Sequence, residues 1–218
     1  WGATSQDIMD TALALRLKRV AALWDERLGA LLARLADLAD AHAELAMTGR
    51  TYGQAATPTS FGALVASWGR PLMRHRQRLK ALLPDILQVS LSGAAGTLSA
   101  MGPQGPAVRA ELAKALGLTD PGASWHAERD SLAVFGAWMA GVTGSLAKMG
   151  EDLILLTQSG IAEVAISGAG GSSTMPQKQN PVGPSVLVAL ARQAAALSVV
   201  KKGLPVPPAK ITTRPFSR

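Results

Sequence analysis

The sequence predicts an all-α protein, an elongated bundle of long helices. Hydrophobic residues make up 48% of the chain and aromatic residues only 4%, and Ala and Leu, the common apolar types, are strong helix formers. The stretch from Ala3 to Thr48 contains no proline and a single glycine, Gly29. No alternation of apolar and polar residues lasts long enough to indicate a sheet.

The first predicted helix covers Ala3 to Thr48. Its apolar residues recur mostly at three- and four-residue spacing; they include Ile8, Leu15, Val20, Leu28, Leu31, Leu35 and Leu38. Thr4 and Ser5 can cap the start of the helix, and Asp7 in the first turn favours the helix dipole. A helix of this length reaches roughly 60 Å, which suits an elongated bundle better than a compact globule.

A second helix is predicted to start near Thr57-Pro58, because Thr caps a helix well and Pro is favoured in its first turn. It runs towards Ser90, with a kink or a break expected around Pro71 and Pro84.

Five further predicted segments complete the first 200 residues. Gly93 to Pro106 is interpreted as a loop or a broken helix because it is rich in Gly, Ser and Pro. The remaining predicted elements are a helix over Ala107–Leu116 that ends at Gly117, a long helix over Ala127–Ser159, a glycine-rich loop over Ser167–Pro184 and a helix over Ser185–Val200. We expect residues 1–200 to form one helical domain and residues 201–218 to be a Pro-rich basic tail, disordered or non-native.

The positive charge is concentrated at one end of the chain. The formal net charge is +7, and residues 201–218 hold five Lys or Arg and no acid, so the first 200 residues carry only +2. That distribution argues against nucleic-acid binding and suits a small anionic substrate.

The longest apolar stretch, Leu132 to Ala147, is interrupted by Gly and Ser and is interpreted as a bundle helix instead of a membrane span. The absence of cysteine fits a cytoplasmic protein.

A glycine-rich segment, Gly168 to Asn180, carries the clearest chemical signal. Glycines let the backbone approach a ligand and leave amide N–H groups free to bind anions. Ser172 and Ser173 add hydroxyl groups, Lys178 adds a cation, and Asn180 adds an amide. This group of side chains would suit a carboxylate ligand; on composition alone, a flexible linker is an equally good interpretation.

Three blocks of sequence together resemble the fumarase/aspartase superfamily. The string GSSTMPQKQNP is similar to the GSSxMPxKxN signature of that superfamily, WGATSQDIMDT (residues 1–11) resembles its first block, and GRTYGQAATPTSFG (residues 49–62) resembles its second. Other stretches, such as GAAGTL and WHAERD, resemble the carboxymuconate cycloisomerase branch, with the adenylosuccinate lyase branch as the alternative.

The resemblance implies a central bundle that assembles into a homotetramer, with each active site built from the three blocks of three subunits. It also implies a small polycarboxylate substrate and a reaction that needs neither a cofactor nor a metal. On this resemblance residues 1–200 lack the N-terminal helices and the C-terminal domain of the family. A catalytically inactive piece that serves only as a helical assembly module is therefore a further alternative.

The resemblance also assigns roles to individual residues. It implies that Ser172 is the general base and that Lys178 and Asn180 stabilise the substrate carboxylate and the intermediate. The remaining residues that the resemblance assigns to substrate binding are Thr4, Ser5, Thr51, Gln54, Ser173 and Met175.

Two features depart from the family pattern or add to it. Tyr52 stands where the lyases usually have His; it is expected to donate a proton or hydrogen bond, the alternative being a side chain that packs beside the bundle. His126 is interpreted as a second acid and Arg129 as a clamp for a substrate carboxylate. The alternative for this pair is a surface position before a helix, with Glu128 and Asp130 neutralising Arg129.

Overall fold

The computed structural model describes residues 1–168 and 170–200 and confirms the predicted all-α class, with one small hairpin added. The predicted tail, residues 201–218, lies outside the described residues. The elements are α1 (Ser5–Ala41), β1 (Ala46–Thr51), β2 (Gln54–Ser60), α2 (Phe61–Ile86), α3 (Gly105–Leu116), α4 (Asp130–Leu156) and α5 (Val182–Val200). Helices α1 and α2 pack together, α4 packs against α2, and α5 packs against α4.

Buried side chains repeat every seven residues along the long helices. In α1 they are Asp7, Ala14, Ala21, Leu28 and Leu35, and in α2 they include Val65, Leu72, Leu79 and Ile86. A seven-residue repeat keeps one stripe of a helix against its neighbour over many turns. The repeat therefore holds α1 and α2 side by side along most of their lengths.

Trp138 on α4 lies at the centre of the core. Its ring stacks on Phe135, with the ring centroids 5.4 Å apart, and meets the edge of Trp24 at 5.6 Å. The indole N–H donates to the backbone carbonyl of His75 at 2.9 Å, so the buried ring has its polar atom satisfied. One tryptophan thus joins α1, α2 and α4.

The end of α1 corrects the sequence prediction. The helix ends at Ala41 instead of Thr48, and the chain then forms an antiparallel hairpin of β1 and β2. Tyr52 and Gly53 form its two-residue turn with φ values of 52° and 74°, the pattern of a type I′ turn. The prediction that no strands occur is wrong here. The residues of β1 are mostly half-buried and those of β2 mostly exposed, so neither strand carries an alternating pattern that could reveal it.

The start of α2 is also later than predicted. Thr57 and Pro58 belong to β2, and the helix is capped by Ser60, whose hydroxyl oxygen accepts from the backbone N–H of Ala63 at 3.1 Å. The helix continues through Pro71 and Pro84 without a break. It ends at Ile86, four residues before the predicted end.

The boundaries of the later helices agree more closely with those predicted from the sequence. Helix α3 ends as predicted at Gly117, whose φ of 59° and ψ of 44° are left-handed, a conformation that favours glycine. Before α3, the predicted loop contains a short 3-10 segment, Ser99–Gln104. Helix α4 lies within the predicted range, and α5 begins at Val182, three residues earlier than predicted.

By length and composition α4 could cross a membrane. In the bundle it packs between α2 and α5, with Trp138 and Val142 buried. Its polar Ser145 hydroxyl lies 3.0 Å from the Nε2 atom of His75. These contacts agree with the interpretation of α4 as a bundle helix.

The charged residues around His42 and His75 in the sequence predict that both side chains are solvated. The structure shows that His75 is 8% exposed. Burial lowers the pKa of His75, and the charges of Arg78 and Arg74 lower it further. The expectation was wrong for His75 because it occupies a position of the buried stripe.

Replacing Leu79 by Ala tests the packing of the stripe. Leu79 is 1% exposed, so we expect the free energy of unfolding to fall by about 2–5 kcal/mol, because a cavity replaces the side chain. Urea denaturation followed by circular dichroism measures the change. The matched control is Gln77→Ala on the exposed face of the same helix, which should change the free energy by less than about 0.5 kcal/mol. Equal effects of the two changes would contradict the assignment of the stripe.

Candidate active site

The three blocks found in the sequence lie at two ends of the bundle. Helix α1 has 37 residues and therefore spans about 55 Å. The first block forms its start, and the hairpin with the second block follows its end. The signature loop lies between α4 and α5, at the same end as the hairpin, because Glu163 just after α4 contacts Arg50 of the hairpin.

The signature loop is closed by a short backbone bridge. Gly170 and Asn180 exchange two hydrogen bonds, with N···O distances of 3.0 and 2.8 Å. A Cβ atom at Gly170 would lie 2.8 Å from the side chain of Val182, a distance closer than real Cβ contacts. Glycine at this position therefore permits the bridge that gathers the residues between it into one loop.

Inside this loop, the Ser172 hydroxyl contacts two backbone N–H groups. Its hydroxyl oxygen accepts hydrogen bonds from the amides of Met175 at 3.2 Å and Thr174 at 3.4 Å. Amide donors that point at one oxygen stabilise negative charge on it. The arrangement has the polarity that an alkoxide form of Ser172 would need.

A cleft of about 720 Å³ opens beside the loop. Met175, Lys178 and Asn180 line it from the loop, and Ile154 and Thr157 line it from α4 and its end. Ser173 is exposed. Among the described residues, Lys178 lines this cleft, whereas Ser172 and Ser173 do not.

The second block presents its candidate residues at the tip of the hairpin. Thr51, Tyr52 and Gln54 are all exposed, and Tyr52 is fully so. The alternative in which Tyr52 packs beside the bundle is therefore wrong for the described chain.

An ion pair fixes the hairpin to the segment before the signature loop. The two terminal nitrogens of Arg50 donate to the carboxylate oxygens of Glu163 at 2.6 and 3.0 Å. Arg50 lowers the pKa of Glu163 through these hydrogen bonds. Nothing in the sequence marks this pair, because its members are 113 residues apart in the chain.

The first block is built around the carboxylate of Asp7, which is 1% exposed. Thr4 is the N-cap of α1, and its backbone N–H donates to Asp7 Oδ2 at 2.9 Å. Ser5 is the first residue of the helix and is exposed. Thr4 and Ser5 thus lie directly beside a buried charged group.

Asp7 has a full set of hydrogen-bond donors. They are the backbone N–H groups of Thr4, Ser92 and Gly93, the hydroxyl of Ser90 and the ring Nε2 of His126. Burial alone would raise the pKa of Asp7, but the bonds from Thr4, His126, Ser92 and Gly93 outweigh it and lower the pKa. The carboxylate is therefore held in its charged form.

His126 and Arg129, the predicted acid and clamp, both contact acids of the first block. His126 Nε2 lies 2.7 Å from Asp7 Oδ1. Arg129 donates to the two oxygens of Asp10 at 2.9 and 3.1 Å and lies over the ring of Trp125, 5.3 Å from its centroid. The partner of Arg129 is thus Asp10, in place of the expected Glu128 and Asp130. A substrate carboxylate would have to compete with Asp10 for this guanidinium.

The spacing of Asp7 in the sequence is a signal that this acid is buried. Asp7 stands seven residues before Ala14, Ala21 follows at the same interval, and all three are buried. An acid at a position of an apolar stripe indicates a buried, hydrogen-bonded carboxylate. Apart from Thr4, its partners lie 83 to 119 residues away in sequence and carry no such signal.

Long packed helices that carry a serine-containing signature loop and two further polar blocks define the fumarase/aspartase class. The comparisons agree: the chain belongs to the Lyase family, whose model matches residues 1–196. The resemblance seen in the sequence is thereby confirmed.

Two relatives illustrate the similarity. The chain is 47% identical over 199 residues to 3-carboxy-cis,cis-muconate cycloisomerase of Pseudomonas aeruginosa, covering 90% of this chain and 43% of that protein. It is 39% identical over 202 residues to trans-aconitate decarboxylase 1 of Mycosarcoma maydis, covering 90% and 41%.

Among solved structures, the 3-carboxy-cis,cis-muconate lactonizing enzyme of Pseudomonas putida matches with a TM-score of 0.86 and 40% identity, covering 94% of this chain and 46% of that chain. The chain thus spans less than half the length of the relatives it matches.

Replacing Asp7 by Asn should destabilise the fold and change its response to acid. At neutral pH we expect a loss of about 1–3 kcal/mol in the free energy of unfolding, because an amide NH₂ would face N–H donors. The folded-state pKa of Asp7 is lowered, so its contribution is complete above the unfolded pKa and is lost as the pH falls through the folded pKa.

Urea denaturation between pH 7 and pH 2.5 measures this difference between the original chain and Asp7→Asn. The difference should be constant down to about pH 4 and should shrink below it. A difference that grows as the pH falls would contradict the charged state of Asp7.

Proposed function

We propose that this chain forms part of a cycloisomerase that closes 3-carboxy-cis,cis-muconate to a lactone. The observation that carries the proposal is the Ser172 hydroxyl, which two amide N–H groups surround in a loop closed by Gly170 and Asn180. Similarity to cycloisomerases over 90% of the chain supports this substrate.

The reaction that we propose is an intramolecular addition. A carboxylate oxygen of the substrate forms a C–O bond to one carbon of a double bond, and the neighbouring carbon, which lies beside another carboxylate, becomes carbanion-like. Its charge spreads onto that carboxylate, and protonation of the carbon by Ser172 completes the lactone. In the reverse direction Ser172, as alkoxide, removes the same proton, so one group serves as acid and base.

The electrostatic demand of this step is met by cations and amide donors. Charge that develops on the substrate carboxylate must be stabilised more strongly in the transition state than in the ground state. We assign this role to Lys178 and Asn180, which line the cleft beside the loop. Met175 and Ser173 complete the loop contacts to the substrate.

The distances within one chain favour an oligomeric active site. Thr4 and Ser5 lie about 55 Å along α1 from the hairpin end, where the signature loop also lies. A small polycarboxylate cannot touch both ends of one molecule. We therefore propose that three copies of the chain contribute the blocks of each site in a homotetramer.

Within that assembly, exposed side chains at the hairpin tip would bind the substrate. Thr51 and Gln54 would donate to its carboxylates, and Tyr52 would donate a hydrogen bond where the lyases have His. All three side chains are exposed in the single chain, as side chains that meet a neighbouring copy must be before assembly. We place the protein in the cytoplasm, an assignment that the lack of cysteine supports.

One relative supports a second candidate function. The match to trans-aconitate decarboxylase 1 has nearly the same extent as the match to the cycloisomerases, and both substrates are unsaturated tricarboxylates. Decarboxylation of trans-aconitate is therefore the alternative activity. The shared chemistry, recognition of three carboxylates, would need the same cations and hydroxyls.

A segment exchange tests these functions. Residues 1–196 would replace the matching segment of the Pseudomonas aeruginosa relative, and the 218-residue chain alone would be assayed in parallel. We expect the exchanged protein to form lactone from 3-carboxy-cis,cis-muconate, measured by loss of ultraviolet absorbance of the diene. Release of CO₂ from trans-aconitate would indicate the alternative, and fumarate release from adenylosuccinate would indicate the adenylosuccinate lyase branch. A folded oligomer that is inactive on all three substrates would indicate an assembly module.

Replacing Ser172 by Ala in the exchanged protein should lower kcat at least about a hundredfold, because the proton donor and acceptor is lost. Circular dichroism should show unchanged helicity and melting temperature. The matched control is Ser167→Ala, an exposed serine outside the signature, which should leave kcat unchanged. Unchanged turnover in Ser172→Ala would remove Ser172 from this role.

Lys178 should matter more than Tyr52. Lys178→Ala removes a cation from the cleft, and we expect at least about a hundredfold loss of kcat/KM. Tyr52→His keeps a hydrogen-bond donor and should change kcat/KM less than about tenfold. Steady-state kinetics of both variants measures the ranking, and the reverse order would contradict the assigned roles.

A further inference from the structure

The geometry points to His126 as a positioning residue, which holds the first block in place through Asp7 instead of contacting the substrate. This inference rests on the proposed function, in which Thr4 and Ser5 bind substrate carboxylates. It replaces the interpretation of His126 as an acid.

The bonding of Asp7 carries the inference. Because Asp7 is ionised, its oxygen accepts and the ring Nε2–H of His126 donates, at 2.7 Å. The same carboxylate accepts from the amide of Thr4, the residue that caps α1. His126 is thus joined to Thr4 by one carboxylate, although it lies 119 residues from Asp7 in sequence.

The environment of the pair is that of a structural contact. Asp7 is 1% exposed, and the side chain of His126 is 18% exposed. Two further donors to Asp7, the amides of Ser92 and Gly93, belong to the segment that follows α2. The Nε2 atom of His126 therefore points into the protein, and this nitrogen is occupied.

A second set of contacts holds the same surface of the first block. Arg129 pairs with Asp10 through two hydrogen bonds. The hydroxyl of Thr11 donates to the carbonyl of Ser90 at 3.0 Å and accepts from its amide at 2.9 Å. The first two turns of α1 are therefore fixed to segments on both sides of α3.

The consequence concerns substrate binding more than the chemical step. If His126 is removed, Asp7 keeps its charge but loses its charge-assisted partner, and the capping amide of Thr4 is held less firmly. Thr4 and Ser5 then sample more orientations. A residue that only orients a binding group affects KM, whereas an acid that acts in the transition state affects kcat.

Variants of His126 that differ in reach provide the kinetic test in the exchanged protein. The side-chain amide nitrogen of Gln can take the place of the Nε2 atom of His. The Asn side chain is one carbon shorter, so its amide nitrogen cannot reach Asp7. We expect His126→Ala and His126→Asn to raise KM about tenfold with kcat changed less than threefold, and His126→Gln to restore KM to within about threefold. A large loss of kcat in all three variants would overturn the inference, because it would indicate an acid.

Hydrogen exchange of the 218-residue chain tests the inference without any activity. His126→Ala should speed exchange of the amides of Thr4, Ser92 and Gly93 about tenfold, and His126→Gln should speed it far less. The matched control is Arg76→Ala, which breaks the two-bond pair with Asp25 between α1 and α2 and should leave those amides unchanged. Unchanged exchange in His126→Ala would overturn the inference.

The two measurements separate the inference from the proposed function. If the exchanged protein has no activity, the proposed function fails while the exchange rates still decide whether His126 holds the first block. If the protein is active and neither KM nor the exchange rates respond to His126→Ala, only the positioning role fails.

Discussion

The seven-residue spacing of buried side chains is the constraint on which the rest of the structure depends. Along α1 and α2 it lets the two helices remain in contact over many turns, and Trp138 joins α4 to both. Because α1 is 37 residues long, it carries the first block to one end of the molecule and the hairpin to the other. The separation of the blocks, and with it the case for a site shared between copies, follows from this packing.

Asp7 connects the packing to the candidate site. It occupies the first position of the buried stripe of α1, where an apolar residue would be the ordinary choice. A buried carboxylate is tolerated only where donors surround it, and here the donors come from α1 itself, from the segment after α2 and from His126. The Asp7 carboxylate, which could destabilise the bundle if it lacked donors, therefore fixes the part of the chain that carries Thr4 and Ser5.

The sequence predicted what is local and periodic. The long helices were found because their apolar residues recur within a few turns, and the signature loop was found because its residues are contiguous. The hairpin was missed because its strands are short and neither alternates between buried and exposed residues. The bonds of Asp7 with His126 and of Arg50 with Glu163 join residues more than 100 positions apart. Such pairs depend on how the helices pack, which a single sequence does not reveal.

The length of α1 limits how the chain can change in evolution. One inserted residue would turn everything before it by about 100° and shift it by about 1.5 Å, so the acids at the start of the helix would leave their donors. An insertion of seven residues would preserve the orientation but would move the first block outward by about 10 Å. Related chains should therefore vary in length within their loops, while this helix works as a spacer of fixed size between the first block and the hairpin.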